Sequence, residues 1–97
     1  MYARVARWEG GDGEAMRRAG EEIKARAESG PPEGVPAKGL LLLMDTDNGI
    51  ALAISLFATE EGRRKGDEML SSMTPPNEDM GRRVAVENYE VAADVRM

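Results

Sequence analysis

Apolar and polar positions alternate from Tyr2 to Trp8, with Ala3 and Val5 set against Tyr2, Arg4, Ala6 and Trp8, which is the two-residue period of a β-strand. Gly10-Gly11-Asp12-Gly13 interrupts it, and Asp12 is suited to accept hydrogen bonds from the free N–H groups that open a helix. Met16, Ala19, Ile23 and Ala27 then fall on one helical face, while Arg17, Arg18, Glu21, Glu22, Arg26 and Glu28 lie mostly elsewhere. Ser29-Gly30-Pro31-Pro32 ends that helix with a glycine that tolerates left-handed backbone and prolines that cannot continue it. Two apolar segments follow, Ala37 to Met44 and Ile50 to Phe57, joined by Asp45-Thr46-Asp47-Asn48-Gly49, and this pattern predicts a hairpin. Thr59-Glu60-Glu61 opens a second helix whose Gly62, Gly66, Met69, Leu70 and Met73 share a face; the glycines weaken it but permit close approach to a sheet. Pro75-Pro76 stops it, and a polar loop reaches about Gly81. Arg83 to Val95 then alternates as a final strand, with Val84 and Val86 on one side and Ala85, Glu87, Tyr89, Val91, Ala93 and Val95 on the other.

Strand, helix, strand, strand, helix, strand is the order of a ferredoxin-like α+β fold, βαββαβ, in which two helices cover one face of a four-stranded antiparallel sheet. A single domain over residues 1–97 is expected. In the third strand Ile50, Leu52, Ile54 and Leu56 line one face and Ala51, Ala53, Ser55 and Phe57 the other, so neither reads as solvated. Strands apolar on both sides are expected where both faces are covered. A chain this short has nothing left to cover the second face, and a homodimer pairing the helix-free faces is the simplest cover. A charge placed at Ala53 is expected to break such a dimer.

Composition narrows the chemistry more than the fold. Hydrophobic residues at 41% and charged residues at 32% suit neither a disordered chain nor a membrane protein. The aliphatic run Leu40 to Met44 is far short of the roughly 20 residues that cross a bilayer. No signal-peptide pattern opens the chain, so a cytoplasmic location is expected, and no membrane partner. With no cysteine and no histidine, the usual ligands of zinc and haem and the commonest general base are missing, so no metal or cofactor is expected. Any catalysis rests on carboxylates, Tyr, Lys, Arg, Ser, Thr, Asn or backbone amides. A net charge of −5 argues against nucleic acid as a partner, since that binding neutralises phosphates. Ten arginines against three lysines, with abundant Ala, Gly and Glu, point to a GC-rich bacterial genome.

The opening strand Tyr2-Ala3-Arg4-Val5-Ala6-Arg7-Trp8, the hairpin around Asp45-Thr46-Asp47-Asn48-Gly49, the segment Ser55-Leu56-Phe57-Ala58-Thr59-Glu60-Glu61 and the closing Val86-Glu87-Asn88-Tyr89-Glu90-Val91 together resemble the dimeric α+β barrel superfamily along nearly the whole chain. The resemblance implies two sheets closed face to face around a cavity. It admits several activities, among them cofactor-independent monooxygenases of the antibiotic-biosynthesis type, muconolactone-isomerase-like enzymes and haem degraders, and fold alone does not choose between them. The haem-degrading branch matches poorly, because its members rely on a histidine that is absent here.

Most candidate motifs have plain structural readings. Asp45 to Gly49 is acidic like a calcium loop, but its glycine comes one place early and Leu56 stands where the bidentate glutamate belongs, so a hairpin turn is expected. Gly10 to Gly13 sits where phosphate loops sit, yet Met16 replaces the last glycine and Asp12 and Glu14 would repel phosphate. Met16, Met44, Met69, Met73 and Met80 read as core filling, and Glu22 with Arg26 as a surface pair.

One constellation reaches further. If Ala3 and Val5 face the helices, Arg4 and Trp8 point into the dimer cavity, Glu87 and Tyr89 join them from the last strand, and Ser55 and Phe57 from the third. Together these groups make a site for a small planar or acidic organic molecule. The structural alternative is a buried Arg4–Glu87 pair with aromatic filler at a dimer interface. The function expected is therefore a small-molecule-binding homodimer, as an oxygenase or isomerase, or else a non-catalytic dimerisation or regulatory module with a packed cavity.

Overall fold

The computed structural model describes residues 1–72 and 80–97. Its elements are β1 (Tyr2–Gly10), α1 (Gly13–Glu28), β2 (Ala37–Asp45), β3 (Ile50–Phe57), α2 (Glu60–Ser72) and β4 (Gly81–Glu90). All neighbouring strands run antiparallel in the order β2-β3-β1-β4, with both helices on one face, which is the ferredoxin-like βαββαβ arrangement. The expected places of Met73 and of Pro75-Pro76 lie outside the described residues. Among the described residues no helix is long and apolar enough to cross a membrane.

Local chemistry sets the ends of the elements. The Asp12 carboxylate accepts from Ala15 N at 3.3 Å and caps α1, and Thr59 Oγ1 accepts from Gly62 N at 3.0 Å and caps α2. In the hairpin, Asp45 accepts from the Asn48 backbone N–H at 3.3 Å and from Asn48 Nδ2 at 2.8 Å. Gly49 follows at φ 68°, and its carbonyl accepts from Gly11 N at 3.1 Å, so the tip of the hairpin is tied to the turn that starts α1. These bonds make both acidic turns backbone devices.

β4 is shorter than its alternation predicts, ending at Glu90 where Val95 was expected. Among the described residues it pairs with β1, and Val91 N donates to Met1 O at 2.9 Å just past its last residue. β4 also carries a bulge. Trp8 lies opposite Arg83 and Arg7 opposite Ala85, so Val84 is inserted and the side-chain parity changes at that point. Beyond the bulge the expected alternation holds: Ala85, Glu87 and Tyr89 share one face, and Val86 lies on the other, opposite Ala6.

The core lies between the sheet and the helices. Met16 and Ala19 of α1 meet Ala51 and Met80, with Trp8, Ile23 and Leu42 packed around them. Ala27, expected on the same face, lies in the last turn of α1 and is exposed. Phe57 is fully buried against Gly66 of α2, where a Cβ would collide with the ring atoms Cε1 and Cζ. At the centre of the helix-covered face the strand side chains are small, Ala6, Ala51 and Ala53, and Gly20, Gly62 and Gly66 bring the helices close.

This close approach reverses the expected assignment of the faces. Arg4 is 4% exposed and lies beneath α2. Its Nε donates to Asp67 Oδ1 at 2.7 Å and its Nη2 to Ser71 Oγ at 3.1 Å, while Ser71 Oγ donates to Asp67 Oδ1 at 3.3 Å. Ala3 and Val5 therefore face away from the helices. Ala53 pairs with buried Ala6 and belongs to the helix-covered face, so a charge there would enter the interior of one chain and not a sheet-to-sheet interface.

Candidate functional site

The strand register lays out the helix-free face as rows across the sheet. Gly39, Leu56, Ala3 and Tyr89 form one row; Leu41, Ile54, Val5 and Glu87 the next; Leu43, Leu52, Arg7 and Ala85 the third. Asp45 of β2 and Ile50 of β3 continue it towards the hairpin. The centre is aliphatic, and Leu41, Leu43 and Tyr89 are 41%, 48% and 51% exposed. β-branched and leucine side chains fit a pleated surface, but a solvated sheet face would alternate them with polar residues.

Polar groups on this face lie along β4 and at the end of β1. Tyr89 donates its hydroxyl to Glu87 Oε2, two residues apart on one side of the strand. That hydrogen bond, with a smaller desolvation effect and the adjacent negative charge, holds the Tyr89 phenol above its ordinary value of 10.0. Arg7 Nε donates to Glu9 Oε2 at 2.7 Å, so this guanidinium is already paired within its own strand. In a Tyr2→Phe background that isolates Tyr89, the variant Glu87→Ala is expected to move the phenolate absorbance midpoint downward, towards the ordinary tyrosine value. An unchanged midpoint would mean that Tyr89 and Glu87 are not bonded in solution.

The expected constellation thus divides between two faces. Glu87 and Tyr89 stand on the open face, opposite Val5 and Ala3. Arg4, Trp8, Ser55 and Phe57 stand on the helix-covered face: Arg4 pairs with Ser55 across β1 and β3, Tyr2 with Phe57, and Trp8 with Ala51. The Arg4–Glu87 pair does not form, because Asn88 and not Glu87 is the residue opposite Arg4. In its place Arg4 has Asp67 and Ser71, which the sequence reading missed. Their signal was the i, i+4 spacing that puts both on the side of α2 next to Gly66 and Leu70.

A second arginine secures the same end of α2. Arg83 donates from Nη1 to Leu70 O at 3.4 Å and from Nη2 to Ser71 O at 3.2 Å, satisfying carbonyls that the last turn leaves without helical partners. Its guanidinium carbon stands 5.9 Å from the centre of the Trp8 ring. With no buried side-chain N or O lacking a partner among the described residues, this cluster is satisfied by the chain itself and has the character of a structural clamp.

Two of the open depressions on the surface of the described residues border the elements discussed above. One of about 260 Å³, at the start of α2, is lined by Tyr2, Glu60, Arg63, Asn88, Tyr89 and Glu90. The other, about 190 Å³, lies at the hairpin end of the open face between Leu43, Met44, Asp45, Ile50 and Leu52. Among the described residues no group of three or more acidic side chains converges to hold a metal ion. Compared with protein-family models and with curated proteins, the chain matches none.

Proposed function

We propose that the protein works as a homodimer of the dimeric α+β barrel kind, pairing two open sheet faces, and that the space between them receives a small, mainly apolar organic molecule. The observation that carries this reading is the aliphatic face formed by Val5, Leu41, Leu43, Leu52, Ile54 and Leu56 on the side without helices. An uncovered patch of that extent marks an association surface, and a second copy supplies a face of the same character. The ligand chemistry differs from the acidic molecule that Arg4 would have selected. With Arg4 turned to the helices and Arg7 paired to Glu9, the groups left for a ligand are the Glu87 carboxylate and the Tyr89 phenol, which suit a neutral molecule carrying a hydrogen-bond donor. An oxygenase or isomerase built on this compartment would draw its polar chemistry from those two residues.

A second reading has its own support. Removing Arg4, Trp8, Ser55 and Phe57 from the open face leaves few convergent polar groups there, as expected of a non-catalytic dimerisation module with a filled interface. Two measurements decide the matter. Light scattering is expected to give a mass above that of one chain at micromolar concentration, and Ile54→Lys to lower it, because an unpaired ammonium in an apolar interface costs several kcal/mol. A wild-type monomer would sink both readings. A fluorescent naphthalene dye is then expected to bind the assembled protein in a fixed ratio and to be displaced when Leu56→Trp fills the space. Absence of saturable dye binding by an intact dimer would favour the packed module.

A further inference from the structure

Helix α2 packs over β1, β3 and β2, while β4, at the sheet edge, runs beside it. At the end of α2 the chain bridges helix and edge strand itself, where Arg83 of β4 donates to Leu70 O and Ser71 O. At the start of α2, among the described residues, no side-chain bond joins the two, and the depression of about 260 Å³ lies there with Glu60 and Arg63 on the helix, Asn88, Tyr89 and Glu90 on the strand, and Tyr2 of β1. The register explains this lining. Arg63, Asp67 and Ser71 recur at four-residue spacing along α2; Asp67 and Ser71 meet Arg4, and Arg63 stands one turn earlier. Tyr2 lies two residues before Arg4 on the same side of β1, and their partners on β4 are Glu90 and Asn88. Two charges at this end lack partners. Arg63 is half-buried and Glu90 exposed, and among the described residues neither enters an ion pair, whereas Glu60 is held by Arg64 at 2.6 Å.

We propose that this depression binds a free α-amino acid as its zwitterion, with the carboxylate on Arg63 and the ammonium on Glu90. A guanidinium receives a carboxylate through two parallel N–H···O bonds, and an ammonium has three donors to share between Glu90 and the side-chain carbonyl of Asn88. The charges select the class. A simple anion would meet Arg63 but also Glu60 and Glu90, and a simple cation would meet the reverse conflict at Arg63. A ligand that carries both charges a few bonds apart satisfies the two unpaired groups together and bridges helix to strand, as Arg83 does at the other end of α2. The volume is below the roughly 300 Å³ at which pockets for drug-sized ligands begin and suits a molecule of this size. Because the depression is open, the amino-acid side chain is directed towards water, so the site recognises the zwitterionic head. This inference concerns the helix-covered side of the sheet and does not depend on pairing of the open faces.

Amide chemical shifts of the isotope-labelled full chain test the proposal, with L-alanine, propionate and ethylamine as probes that carry both charges, the carboxylate alone and the ammonium alone. L-Alanine is expected to produce saturable shifts at Tyr2, Arg63, Asn88 and Glu90 with a Kd on the order of 1 mM, as two partly solvated charge contacts support. Propionate and ethylamine are each expected to bind at least about tenfold more weakly. Arg63→Met and Glu90→Gln replace surface-reaching side chains by ones of similar length, and each is expected to weaken L-alanine binding at least about tenfold while the remaining amide shifts report an intact fold. Arg63→Lys, which keeps the charge but not the fork, is expected to fall between wild type and Arg63→Met. The proposal is overturned if L-alanine gives no saturable shift at these residues, or if propionate or ethylamine binds as tightly as L-alanine, which would mark a plain ion contact. It is overturned equally if a folded Arg63→Met or Glu90→Gln binds like wild type. Shifts confined to Val5, Ile54 and Leu56 would also overturn it, and would place the ligand on the open face instead.

Discussion

Replacing Asp67 with alanine is expected to destabilise the protein by about 3 kcal/mol, measured by urea unfolding. The change leaves the Arg4 guanidinium, whose side chain is 5% exposed, without its carboxylate and surrounded by Ala6, Ser55 and the underside of α2. The lower end of the usual range applies because the Asp67 side chain is itself 30% exposed, so some water reaches the pair. Ser71→Ala removes only the Nη2 partner and is expected to cost about 1 kcal/mol. Arg4→Met/Asp67→Leu, which removes both charges and keeps the volume, is expected to recover most of the loss. Glu87→Ala, on the other face of the sheet, is expected to leave unfolding nearly unchanged. Were Glu87→Ala to cost as much as Asp67→Ala, the placement of Arg4 beneath α2 would be wrong.

The second large effect is expected at Gly66. Alanine there gains about 1 kcal/mol in helix propensity, but its methyl group would enter the ring of Phe57, which is wholly buried and cannot move aside without displacing α2. Overpacking of that kind costs about 1–3 kcal/mol, and Gly66→Val, which also brings β-branching, is expected to prevent stable folding at ordinary temperatures. Gly62 serves as the control on the same helix. Its added Cβ would meet Thr59 Oγ1 at 3.1 Å and Pro36 Cγ at 3.7 Å, contacts that small adjustments relieve, so Gly62→Ala is expected to be neutral or slightly stabilising. Thermal unfolding of the two alanine variants should therefore move in different directions. Phe57→Leu is expected to rescue Gly66→Ala in part, and equal behaviour of the two glycines would contradict the packing described.

The candidate site was legible only in fragments, and the reasons are specific. Alternation correctly separated Arg4 from Ala3 and Val5 but could not say which set meets the helices. The expectation that Ala3 and Val5 face the helices failed because α2 offers Arg4 a carboxylate and a hydroxyl one helical turn apart. Within the second helix, the spacing of Asp67 and Ser71 beside Gly66 held that information, as did the mismatch between alanine-rich and leucine-rich sides of β3. Small residues belong under glycine-bearing helices, and large aliphatic residues then have only the other face. In β4 the alternation correctly set Ala85, Glu87 and Tyr89 on one face and Val86 on the other, while the bulge at Val84 left no mark in the apolar pattern.

By itself the sequence determined what depends on neighbours along the chain. Asp12 and Thr59 open the helices, Asn48-Gly49 turns the hairpin, and the order of periods specifies the βαββαβ fold, because capping, turn geometry and side-chain alternation act over a few residues. Tertiary structure alone decided which face each strand presents to the helices, where β4 stops, and which partner Arg4 takes. Those outcomes depend on groups far apart in sequence, such as Arg4 and Asp67 at a separation of 63 positions, and on how closely Gly66 lets α2 approach Phe57. Burial energy compares whole faces of the sheet with one another, so the face able to accept two close helices goes inward even though it carries a charge, and the more aliphatic face is left without helices.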